Sequence, residues 1–262
     1  MKESVISKIW NIIYPVLLYF VLNLLLAAVI QAVIAFIPSD ISYQERVNDA
    51  SPIISVIFLA VSIVILYFIY KHDHVISCDL VLKKPYYLAV LFVMGILASH
   101  GLSALVSLSG IDSLSTSYTQ IQDSLFNCAP VLVILRTCIL APISEELLFR
   151  GLVYNRLFKY TKSFWASALI SSAIFGIYHL NLAQGVFAFI FGILLALVYN
   201  KTDNFWSVAI THCGGNVISV VIVYTGFSYP EMWLCVLAMI CVLAAACALY
   251  YFLIRPLKKN DR

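Results

Sequence analysis

Ser144-Glu145-Glu146-Leu147-Leu148-Phe149-Arg150 places two carboxylates and a guanidinium in a stretch of chain otherwise apolar enough to be membrane-embedded helix. A charge at the centre of a spanning helix costs roughly 2.5–3.5 kcal/mol on insertion scales unless it is paired or wetted. Residues carried at that cost are expected to do chemistry. Positions four apart share a helix face, and Glu before Arg is the favourable order, so Glu146 and Arg150 are expected to pair. Glu145, turned by about 100° from its neighbour, has no local partner and is left to face a cavity as a proton acceptor. The competing reading is that the three charges only lock this helix to its neighbours, which a neutral polar pair would do at lower desolvation cost.

Two further stretches place chemistry-bearing groups at helical spacing. Phe175-Gly176-Ile177-Tyr178-His179 sets an aromatic ring and an imidazole one turn apart, and His212-Cys213-Gly214-Gly215-Asn216 does the same for an imidazole and a carboxamide. Gly214 and Gly215 remove side chains beside His212, permitting either a close backbone approach or a break that admits water and an extended peptide. His100, beside Ser99 and Ser103, is expected to be an interhelical hydrogen bonder, and His72 and His74 to lie in a solvated loop. The seven cysteines lack a C-x-x-C spacing and are expected to be packing residues, Cys213 included.

The elements that must position these groups are membrane helices. With 262 residues, 63% of them hydrophobic and 11% charged, the chain is too apolar for a soluble domain. Eight segments, 10–37, 52–70, 86–109, 126–149, 164–182, 185–200, 205–225 and 232–254, approach or exceed the ~20 residues that cross a bilayer. The fold class is therefore an all-α, polytopic helical bundle of about eight spans. The shortest segment, 185–200, is marginal by length, and the helix of Glu145 is expected to run on toward Leu157. Thirteen of the sixteen basic residues fall on one side if the spans alternate, which places both termini in the cytoplasm. Arg46 falls outside, and Arg136 and Arg150 lie within the membrane layer. The loops 38–51 and 110–125 are expected to be solvated connectors on the outer side. That loop bias accounts for the net charge of +3, and no basic run with interleaved aromatics points to nucleic acid. The first apolar stretch is longer than a signal-peptide core and is expected to be a retained helix.

The three stretches together resemble the signature of the CPBP/Abi family of intramembrane proteases, which includes the type II CAAX prenyl endopeptidases. The family pattern is Glu-Glu-x-x-x-Arg, Phe-x-x-x-His and His-x-x-x-Asn, matched here by Glu145, Glu146, Arg150, Phe175, His179, His212 and Asn216. The resemblance covers roughly residues 126–226, a protease-like core between a three-helix region at 1–125 and a last helix with a basic tail at 227–262, all in one membrane domain. It implies an eight-span helical fold with a water-filled cavity and endopeptidase activity on a membrane-associated peptide, a leader, signalling or CAAX-like substrate.

Peptide hydrolysis needs an activated water, donors for the oxyanion and a proton for the departing amine. Glu145 with His179 is expected to activate the water, His212 and Asn216 to supply N–H donors, and Glu146, held by Arg150, to orient the site. That arrangement requires no cofactor. The alternative is zinc hydrolysis with Glu145, His179 and His212 as ligands, against which stand the lack of His-Glu-x-x-His and the poor zinc affinity of Asn. Straight helices leave His212 about 10 Å and His179 about 24 Å from the starts of their spans, so the fifth helix is expected to begin deeper, or the seventh earlier. The partners expected are a peptide substrate and the lipid bilayer, with no nucleic acid, and the location a cell membrane, a bacterial one from the composition. A proton-coupled transporter would also carry midplane carboxylates, though no internal repeat is evident, and a non-enzymatic immunity or regulatory partner could keep the motif for packing.

Overall fold

The computed structural model describes residues 4–73, 86–111, 128–226 and 231–249. These form helices α1 (Val5–Phe36), α2 (Tyr43–Asp73), α3 (Tyr86–Leu108), α4 (130–161), α5 (Phe164–Tyr178), α6 (Leu182–Thr202), α7 (Phe205–Thr225) and α8 (Glu231–Leu249), with no strand among the described residues. The protein is an all-α membrane helical bundle. Five helices, α1, α2, α3, α6 and α7, are long and apolar enough to cross a bilayer by length and composition. Their outward faces carry exposed apolar side chains such as Leu24, Val29, Phe68, Val93 and Ile190, which suits contact with lipid tails. Lys2, His74, Cys78, Lys83, Lys84, the connector 112–127 and the basic tail lie outside the described residues.

Helix boundaries follow local capping chemistry. Ser163, Asn181 and Asn204 each accept a backbone N–H three residues on, opening α5, α6 and α7. Lys162, Asp203 and Gly226 take left-handed φ values that close α4, α6 and α7. The cap at Asn181 starts α6 earlier than the apolar run suggests, giving it 21 residues where 185–200 was expected. The connector 38–51 is also shorter than expected, because α2 begins at Tyr43 and Arg46 donates to the Ile34 and Ile37 carbonyl oxygens at 2.9 and 2.7 Å, tying α2 to the end of α1.

α4 is the central element. It continues past the expected limit near Leu157 to Thr161 and contains two π-helical segments, Ile134–Leu140 and Leu147–Tyr154, on either side of the α-helical turn Ala141–Glu146. All eight residues of Leu147–Tyr154 are buried. On one side Leu148, Phe149 and Leu152 pack with Tyr19, Phe58 and Leu66 of α1 and α2, while on the other Tyr154 joins Phe191, Leu195 and Tyr199 of α6. A helix segment buried on all sides belongs at the centre of a bundle, and Leu147–Tyr154 of α4 holds that place. At its far end Arg156, expected as a loop cation, is buried and binds Asp73 at 2.7 Å and the Tyr14 hydroxyl at 2.8 Å, joining α4 to α2 and α1.

α3 and α7 cross at backbone distance. A Cβ on Gly95 would collide with the Thr211 carbonyl oxygen, and one on Gly214 with that of Phe92. Of the two roles open to Gly214 and Gly215, the structure takes the close approach: α7 is unbroken, and Ser99 Oγ donates to the Gly215 carbonyl at 2.9 Å. Gly95→Ala should therefore destabilise the protein by about 3 kcal/mol, at the upper end for overpacking because the obstacle is backbone. Unfolding in detergent measures it, and a loss below about 1 kcal/mol would contradict this crossing.

Candidate active site

Glu145, Glu146 and Arg150 of α4 form one cluster with His212 of α7. Arg150 Nη1 donates to Glu146 Oε1 at 3.0 Å, the i, i+4 pair expected from spacing, and both side chains are fully buried. Nη2 of the same guanidinium donates to the Gly192 carbonyl of α6 at 2.9 Å, and its carbon sits 4.9 Å from the centroid of the Phe175 ring. Packing at Gly192 is close: a Cβ there would lie 3.0 Å from Nη2 and 3.0 Å from Ser172 Oγ. The guanidinium thus spends its fork on a carboxylate and a carbonyl from different helices, and its face on an aromatic ring.

His212 enters from α7 and bridges the two glutamates. Its Nδ1 is 2.7 Å from Glu146 Oε1, and its Nε2 is 3.7 Å from Glu145 Oε2. A carboxylate paired with Arg150 accepts, so Nδ1 carries a proton. His179, at the end of α5, directs Nδ1 to the Phe175 carbonyl oxygen at 2.9 Å, and a carbonyl likewise only accepts. In both imidazoles Nε2 is therefore a lone pair when the ring is neutral and a donor only when the ring is charged. This qualifies the expectation that His212 is a simple N–H donor. Phe175 lies between the rings, 4.9 Å from His179 and 5.9 Å from His212 by centroid.

The depth problem has an answer other than the one expected. α5 and α7 start at Phe164 and Phe205, as drawn from sequence, yet Phe175 and His212 touch, so the helices are staggered or tilted against each other. α5 ends at Tyr178, four residues short of the expected 182, and turns through Leu180 at φ 53°, leaving His179 on the rim of the helix end.

Glu145, His179, His212 and Asn216 all line one cavity of about 640 Å³. Asn216 is joined to the site indirectly: its Nδ2 donates to the Thr137 carbonyl at 2.8 Å. Tyr19, Tyr178 and Arg136 also line the cavity. Tyr19 was missed in sequence because it comes from α1, 125 residues before its neighbour Ser144, whose Oγ is 3.3 Å from its hydroxyl. Arg136 was noted only as a cation in the membrane layer. Cys213 does not line the cavity, and the described cysteines are free thiols.

The ring orientations, with Nδ1 anchored and Nε2 presented, would suit metal ligands as well as water. Among the described residues, however, no three His, Cys, Asp or Glu side chains gather as a metal-binding group. Glu145, His179 and His212, the alternative zinc set, share the cavity without closing around one point.

Comparison with known proteins finds similarity over the stretch that carries this cluster. A family model described as type II CAAX prenyl endopeptidase Rce1-like matches residues 127–218, which contain every residue of the cluster. A protein of Bacillus subtilis (strain 168) named "Putative membrane peptidase YdiL" is 34% identical over 90 residues, 34% of this chain and 36% of that protein. The match thus spans about a third of the length of that curated relative. No solved structure matches the chain. Residues 127–218 are thus similar to the Rce1-like type II CAAX prenyl endopeptidases.

Proposed function

We propose that this protein is an intramembrane endopeptidase that hydrolyses a peptide bond of a membrane-associated peptide or protein, using water activated by Glu145. The observation that carries the reading is the position of His212 between two carboxylates, one neutralised by Arg150 and one facing the cavity. With His212 protonated, the four groups Glu145, Glu146, Arg150 and His212 sum to zero charge, the state a buried cluster favours. Moving that proton to Glu145 also leaves the sum at zero, so the pair can shuttle a proton without burying net charge.

The reaction uses the state in which Glu145 is ionised and His212 is charged. A water held at the 3.7 Å gap between Glu145 Oε2 and His212 Nε2 is within reach of both. As its oxygen bonds to the scissile carbonyl carbon, Glu145 takes one of its protons and the carbonyl π pair moves onto oxygen. His212, charged and held at Nδ1 by Glu146, donates Nε2–H to that oxyanion. Collapse of the intermediate breaks the C–N bond, and the proton on Glu145 passes to the departing nitrogen. His179, on the wall of the same cavity, assists in holding the water.

The substrate reaches the site from the bilayer, and the location that suits the composition is a bacterial plasma membrane. No metal is needed for these steps. Metal analysis of purified, active protein tests that part: metal far below one equivalent is the expected result. Stoichiometric zinc whose chelation abolishes cleavage would replace the proton shuttle with a metal-bound water. Incubating the protein with candidate leader or prenylated peptides in detergent or liposomes, and identifying fragments by mass, tests the activity itself.

A further inference from the structure

We infer that Asn216 is a positioning residue: it caps a backbone carbonyl that Pro142 leaves without a partner, and so holds the turn that presents Glu145 and Glu146 to His212. The inference starts from the π-helical segment of α4. There the Ala141 N–H bonds the Arg136 carbonyl, five residues back, and not that of Thr137. In the same register the Thr137 carbonyl is due the N–H of position 142, which is proline and has none. Neither neighbouring backbone donor serves it, and an unserved carbonyl inside a bundle costs as much as a lost hydrogen bond. The partner that serves it is the Asn216 carboxamide, with Nδ2 at 2.8 Å.

The placement of this bond relates it to the chemistry. Asn216 lies one turn beyond His212 on α7, and Thr137 lies just before the turn Ala141–Glu146 on α4. α7 therefore grips α4 on both sides of Glu145: the Thr137 carbonyl before it and the Glu146 carboxylate after it. Pro142 opens the register, Asn216 closes it, and the orientation of the glutamates depends on the pair. This differs from the oxyanion-donor role expected of Asn216 from its chemistry and its spacing to His212. It rests on the peptidase reading only for its kinetic test.

The full chain in detergent provides two independent tests. In hydrogen–deuterium exchange, Asn216→Ala should speed exchange across 134–146 by about 10-fold or more, because the turn loses its tether. Pro142→Ala makes a backbone N–H available to Thr137, so Asn216→Ala added to Pro142→Ala should change exchange by less than about 3-fold. Unchanged exchange in Asn216→Ala alone overturns the inference, whether or not the Pro142→Ala variant folds and whether or not the protein cleaves any peptide. In kinetics on a cleaved peptide, Asn216→Ala should lower kcat about 10- to 100-fold with KM within about 2-fold, and lose most of that effect in the Pro142→Ala background. A loss of about 10²–10³-fold in both backgrounds, as expected of a removed oxyanion donor, overturns it equally.

Discussion

Glu145→Gln should lower the rate of peptide cleavage by about 10²–10⁴-fold while leaving expression and thermal stability near those of the unsubstituted protein. The amide keeps the shape of the carboxylate and its place on the cavity wall, but it cannot take a proton from water. Nor can it exchange one with His212, whose Nε2 lies 3.7 Å from Glu145 Oε2. Glu145 is the glutamate to change because Glu146 is committed: its Oε1 accepts from both Arg150 and His212. The same variant separates the rival functions. A preserved biological effect without cleavage would favour a regulatory partner, and proton-coupled uptake in proteoliposomes that this substitution abolishes would favour a transporter. Cleavage within about 3-fold of the original rate would remove Glu145 from the mechanism altogether.

The largest effect on stability is expected from Arg150→Met, a loss of about 3–5 kcal/mol. Methionine approximates the volume and removes the charge, leaving Glu146 buried with only His212 beside it and the Gly192 carbonyl without its donor. Glu146 Oε2 already lacks a hydrogen-bond partner, so no spare contact absorbs the loss. Adding Glu146→Gln to Arg150→Met should recover part of it, because the uncompensated charge goes with the carboxylate. Arg150→Lys should fall well short of wild type, since an ammonium cannot reach Glu146 and Gly192 with parallel donors while covering the Phe175 face. Denaturant or thermal unfolding in detergent measures all three. A cost for Arg150→Met below about 1 kcal/mol would mean the pair is not held in the dry environment described here.

Much of the bundle could be read before any coordinates, since hydropathy and length are local properties. The starts of α3, α5 and α7 fall where the apolar runs begin. The departures occur where a polar side chain serves the backbone: Asn181 opens α6 early, and Arg46 caps α1 and draws residues 43–51 into α2. The π segments of α4 could not be read at all. Pro142 marks a disturbance in the helix, but whether the chain kinks, breaks or shifts register depends on what Asn216 offers from another helix.

The candidate site divides in the same way. Glu146 and Arg150 could be paired from spacing alone, because one helix sets both positions and its geometry is known in advance. Motif spacing also selected His179, His212 and Asn216, each from its place on a helix. What each side chain binds was decided only by tertiary structure. His212 comes to lie between Glu145 and Glu146, and Asn216 turns to a backbone carbonyl. The physical reason is that periodicity orders residues around a helix axis, whereas the stagger and close crossing of separate helices, through Gly95, Gly214 and Gly192, determine which faces meet. From sequence came a charged turn that must be used and the partners it would need. Packing brought Glu145 Oε2 and His212 Nε2 to 3.7 Å of each other, and Tyr19 and Arg136 to the same cavity.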